Sequence, residues 1–144
     1  MTEPVEYLRI IEGEVLPDIS VYAPFRAVIV IDAPYSADWQ KEVSDWLVAN
    51  GCLYMMAWGE DCSSWDDSVD YANMDAFAYE EIPDDRFVFT TWHEREALID
   101  VFWFAQFSAE HPDVLLTSSV ILHIGTTNRR EEFLRLWAAA PSTA

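Results

Sequence analysis

The run Phe25-Arg26-Ala27-Val28-Ile29-Val30-Ile31-Asp32 constrains this chain more than any other segment. Between Arg26 and Asp32 no polar side chain interrupts it, so no alternation separates a wet face from a dry one. A strand of that kind is buried on both sides, as in a parallel sheet covered by helices above and below. The stretch after it has the other period. Ser36 is placed to cap a helix in which Trp39, Val43, Trp46 and Leu47 fall at i, i+4, i+7 and i+8, and Asn50-Gly51 is a stop signal. A second apolar run, Cys52 to Trp58, then ends at Gly59.

The alternation continues to the end of the chain. Ser63 or Ser64 is placed to cap a shorter helix carrying Trp65, Val69, Ala72 and Ala76. Pro83-Asp84-Asp85 reads as a turn before a third strand at 86–91. Thr91 and Glu94 have capping-box spacing for a helix reaching about Ala109, apolar on most sides. A fourth strand falls within 114–124, and Asn128 with Glu131 forms a second capping box before a last helix through Phe133, Leu134 and Trp137. The expected fold is therefore α/β: a single three-layer domain with a mostly parallel four- or five-stranded sheet and helices on both faces. Residues 1–24 form an arm or edge strand, 25–140 the body, and 141–144 a tail expected to fray. In outline this resembles flavodoxin-like and receiver-like domains, a likeness of fold that carries no function.

Charge limits the partners. The 144 residues include 26 acidic and 8 basic side chains, a formal net charge of -18. The one basic pair, Arg129-Arg130, is followed at once by Glu131 and Glu132, so direct binding to nucleic acid or to an anionic membrane is disfavoured. No apolar run approaches the roughly 20 residues of a membrane span. Cys52 and Cys62 match no redox or zinc spacing, and no secretory leader pattern is visible, so the expected compartment is the cytoplasm.

Chemistry in such a fold collects at the carboxyl ends of the strands, where the sequence places Asp32, 58–62, 90–94 and 123–127. Asp32 with Glu60 or Asp61 would suit a hard cation, but Lys41 stands in a helix, away from where a balancing lysine is needed. His93 with Asp32 or Glu94 would suit a small hydrolase or metal-dependent enzyme. Against that, no Gly-x-Ser-x-Gly elbow occurs, and the carboxylates before Cys62 disfavour a thiolate. Dinucleotide and Walker loops are absent; Gly125 to Arg129 is at most a small-anion turn. His93, His111 and His123 lack zinc spacing. No metal or cofactor is expected.

The strongest functional feature is a segment with one sign of charge. Glu60, Asp61, Asp66, Asp67, Asp70, Asp75, Glu80, Glu81, Asp84 and Asp85 occur with no lysine or arginine among them, interleaved with Trp65, Tyr71, Phe77 and Tyr79. A merely solvated face would look similar, and the segment lacks the order and central glycine of an EF-hand loop. The favoured expectation is a surface for a protein with a basic face: an immunity protein or inhibitor of a nucleic-acid-acting partner. Its contacts would be Glu60, Asp61, Trp65, Asp66, Asp67, Asp70, Tyr71, Asp75, Tyr79, Glu80 and Glu81. A further alternative is a homo-oligomeric structural protein associating through the apolar 98–107 helix.

Overall fold

The computed structural model of the protein describes residues 3–143. Of the expected arm and tail, Met1, Thr2 and Ala144 lie outside the described residues. Nine elements alternate: β1 (Val5–Ile10), β2 (Phe25–Ile31), α1 (Ala37–Ala49), β3 (Cys52–Gly59), α2 (Cys62–Ala76), β4 (Phe89–Trp92), α3 (Leu98–Phe107), β5 (Ser118–Ile124) and α4 (Arg130–Ala139), with short 3-10 turns between and after them. The five strands form one all-parallel sheet in the order β1-β5-β2-β3-β4. The layers match the three-layer outline, while the order differs from the 2-1-3-4-5 of flavodoxin-like domains.

The uninterrupted apolar runs occupy the centre. All seven residues of β2 and all seven of β5 are buried, as are the first six of β3. α1 and α2 pack together on one face, stitched by Ser44 to Ser68 (2.7 Å) and by the Gln40 amide donating to Ser64 (2.9 Å). α3 and α4 cover the other, with Phe102 and Phe133 fully buried between them and the sheet. Gly59 ends β3 in the left-handed region at φ 110°, and a side chain there would strike the Ile31 carbonyl of the adjacent strand.

The N-terminal residues supply the fifth strand and then a strap across α1. β1 pairs with β5 as an edge strand. Beyond it, Glu12 accepts from the Ser36 backbone N–H (2.8 Å) and hydroxyl (2.6 Å), while Ser36 caps Trp39 as its position implied. At the other end of α1, Asn50 accepts from the Ile19 N–H (3.0 Å), and the Trp46 indole donates to the Pro17 carbonyl (2.7 Å). Trp46 thus holds the strap while packing, half-buried, against the edge of the core.

Several boundaries depart from the sequence reading, each for a local reason. The third expected strand, 86–91, is displaced to Phe89–Trp92 because Asn73 of α2 takes both the Val88 N–H (2.9 Å) and the Arg86 carbonyl (3.1 Å). Thr91 is not a helix cap. Its neighbour His93 still donates its N–H to the Ala57 carbonyl (2.9 Å), so the sheet claims this segment and α3 starts only at Leu98. At α2 the N-cap is Asp61 in the left-handed region, and the Ser64 hydroxyl bonds back to its carbonyl. Before α4, Asn128 accepts the Arg130 N–H (2.9 Å) as an Asx turn, one position short of the cap.

Candidate functional site

From β2 the chain winds outward through β3 to β4 and then crosses back to β5, so the strand order reverses between β2 and β5. Six side chains converge there. His123 is fully buried on β5. Tyr7, reaching over from β1, accepts the Arg129 backbone N–H on its hydroxyl (3.0 Å), and the same hydroxyl lies 2.6 Å from His123 Nδ1. The Asp32 carboxylate can only accept, so His123 Nε2 carries the ring proton and donates it to Oδ2 (3.0 Å), which leaves Nδ1 to accept from the Tyr7 hydroxyl. Arg129 donates to the same Asp32 oxygen (3.1 Å), grips Glu132 through Nε (2.5 Å) and Nη2 (2.8 Å), and lies over the Phe133 ring at 4.7 Å. A side chain on Gly125 would collide with the His123 ring, so only glycine lets the chain leave β5 over the imidazole.

The electrostatics follow from burial and pairing. The hydrogen bond from His123, helped by Arg129, holds Asp32 below the usual carboxylate range. Burial pushes His123 below the usual imidazole value against the pull of Asp32, which favours the neutral ring. With both nitrogens engaged and the ring sealed from water, His123 fastens β1, β5 and the start of α4 to β2. It presents no free base to a substrate.

The partnership of Asp32 with His93 that the alternative, enzymatic reading would need is not formed. β3 lies between their strands, and each side chain is committed elsewhere. His93 is buried at the end of β4, bonded to Thr91 (2.8 Å) and Glu96 (2.8 Å) and set edge-on to Phe104. Among the described residues no three His, Cys, Asp or Glu side chains gather in a group able to hold a metal. Both cysteines are free and buried: burial pushes the Cys52 thiol up to about 12 and raises Cys62 as well. Neither is poised as a nucleophile.

The acidic segment is the second candidate. α2 buries Cys62, Trp65, Val69, Ala72 and Asn73 on one stripe, which turns Asp67, Tyr71 and Asp75 to solvent at four-residue spacing. Glu60, Asp61, Tyr79, Glu80 and Glu81 are exposed at its two ends, Tyr71 to 61 % and Tyr79 to 66 %. Asp66 and Asp70 are half-buried on the side toward β4. Asp70 accepts from the Thr90 hydroxyl (2.8 Å), and burial with the adjacent Asp66 and Asp67 raises its carboxyl above the usual range. Trp65 does not belong to this surface. It is fully buried against Tyr35 with ring centroids 5.3 Å apart, the outcome its place in the apolar stripe implied.

The Tyr7–His123–Arg129 part of the first cluster escaped sequence reasoning. A histidine inside the continuous apolar run Val120–Ile124 was the available signal, since a buried imidazole needs partners. Its partners depend on strand order, which places Tyr7 of β1 beside β5. In the third layer, Phe107 is 51 % exposed beside Leu134 and Trp137, along a groove of about 800 Å³ between α3 and α4. No helix of the described residues is long and apolar enough to cross a membrane.

A search of curated proteins finds no match to this chain. Over residues 5–140, which span the whole sheet and all four helices, it belongs to the family described as a domain of unknown function, DUF7684.

Proposed function

We propose that this protein is an acidic protein-binding module that captures a partner with a basic surface. It acts as an immunity protein or inhibitor whose carboxylates take the place of nucleic-acid phosphates. The observation carrying this reading is where the cations go. Among the described residues, ion pairs engage Glu3, Glu6, Asp32, Asp45, Glu96 and Glu132, and none reaches any of the ten carboxylates between 60 and 85. Arg26, Arg129 and Arg130 pair elsewhere, and Lys41 bonds to Asp45 while lying in one cleft with Tyr71, Asp75 and Tyr79, so α2 and its flanks keep a negative field with no direct ion pair in it. Such a field steers a cationic protein toward the surface, and exposed Tyr71 and Tyr79 supply contact area between the charges. Two free thiols agree with a cytoplasmic setting.

The test compares the wild type with a variant carrying Asp67→Asn, Asp75→Asn, Glu80→Gln and Glu81→Gln. All four side chains are exposed, so the fold should survive. Both are immobilised at low salt in extract from the native source, and the retained proteins are identified. A basic protein held by the wild type and lost from the variant supports the reading. Equal retention on both removes it.

A further inference from the structure

β4 is an edge strand, and among the described residues nothing pairs with its outer side. Its open main-chain groups can be assigned. His93 donates its N–H inward to Ala57, and the alternation of a parallel ladder turns Thr91 and Phe89 inward with it. Thr90 and Trp92 therefore aim their N–H and C=O groups outward. Edge strands of this kind pair readily with a further extended chain.

The same edge carries the negative charge. The side chains of Thr90 and, two residues on, Trp92 stand on the α2 face of the sheet, because Thr90 bonds to Asp70. α2 runs antiparallel to β4: Asn73 meets Val88 and Asp70 meets Thr90, so Asp66, one turn earlier, lies toward Trp92. Asp66 Oδ1 is sealed from solvent and accepts no hydrogen bond, and Trp92 is 49 % exposed. A row of carboxylates thus flanks unpaired main-chain donors and acceptors, with an indole beside them.

We propose that an extended, arginine- or lysine-bearing segment of the partner adds to the sheet as a sixth strand along β4, its cations against Asp66, Asp67 and Asp70. This rests on the acidic-module reading and specifies how the partner docks. Main-chain bonds to Thr90 and Trp92 fix the segment, and alternate side chains meet the acidic row. A second copy of this chain is a poor occupant, since a net charge of -18 opposes self-association.

The experiment uses the full chain and a synthetic octapeptide of alternating arginine and valine. A second peptide of the same sequence is N-methylated at every second residue, which keeps the charge and removes main-chain donors. Amide exchange at Thr90 and Trp92 is followed by NMR. The expected result is new protection at those two amides, with the methylated peptide weaker by at least about tenfold. The triple variant Asp66→Asn, Asp67→Asn, Asp70→Asn should weaken the first peptide, and Trp92→Pro should abolish the protection at Thr90. The methylated peptide on the wild type keeps the test decisive if Trp92→Pro does not fold. Equal binding of both peptides overturns strand addition while leaving the acidic module standing, as does protection of these amides in a peptide-free dimer. If neither peptide binds, docking at β4 is wrong. If capture survives neutralisation of residues 67, 75, 80 and 81, the parent reading falls and this one with it.

Discussion

Replacing Tyr7 by phenylalanine removes one hydroxyl and strands two groups. The Tyr7 hydroxyl gives its proton to His123 Nδ1 at 2.6 Å and takes the Arg129 N–H at 3.0 Å. In the variant Nδ1 is an unpaired acceptor in a ring with no solvent exposure, because the alternative tautomer would turn an unprotonated Nε2 toward Asp32. Each unsatisfied buried group costs about 1–3 kcal/mol. The Arg129 N–H, only partly buried, belongs at the low end, so the sum is about 2–4 kcal/mol. For a domain of this length that lowers the melting temperature by roughly 6–12 °C. The assay is urea unfolding followed by fluorescence, with the slope m required to stay constant so that the midpoint reports stability alone. Partner capture by the folded variant should be unchanged, because the cluster is a fastening and not a binding site. A loss below about 0.5 kcal/mol, within the scatter of ordinary surface changes, would refute the reasoning. Lost capture at unchanged stability would place function in the cluster instead.

Other expectations follow from the same structure. His123 is held below the imidazole value of about 6.5, so the unfolded chain takes up a proton that the folded one refuses. Stability should therefore fall as pH drops below about 6.5, and the His123 ring resonances should titrate at a lower pH than those of an unfolded-chain histidine; titration at or above about 6.5 would contradict the burial argument. Asp70 sits above the usual carboxylate range, so its charge opposes folding at neutral pH, and Asp70→Asn, which keeps an acceptor for Thr90, should raise the urea midpoint. A lower midpoint would show that the charge itself is needed. Because the carboxylates from 60 to 85 outnumber nearby cations and make no direct ion pair among the described residues, sodium chloride added from about 20 mM to about 0.5 M should raise the melting temperature. No change would mean that the like charges lie too far apart to repel.

The centre of the fold was legible because β2 and β5 read as apolar runs and bury every residue. The capping of α1 by Ser36 was legible too, since polar residues at helix starts act through backbone neighbours. The β4–α3 junction was not. Thr91 and Trp92 suit both a strand and a helix start, and the choice was made by a carbonyl on β3, a tertiary contact. Histidine pairing failed for a related reason. Asp32 could meet His93 or His123 depending only on which strand lies beside β2, and β5 occupies that place. Trp65 carried two signals, its apolar stripe and its acidic neighbours, and the stripe decided because a fully buried tryptophan stabilises by several kcal/mol while neighbouring charges only repel one another.

The central claim is that the carboxylates around α2, which make no direct ion pair among the described residues, attract a positively charged partner. It is tested most directly by the association rate of the captured partner with the wild type and with the variant neutralised at 67, 75, 80 and 81, from low to high salt. The account requires a wild-type rate that falls steeply with salt and a slower variant rate that barely responds. Two rates that coincide at every ionic strength would contradict it.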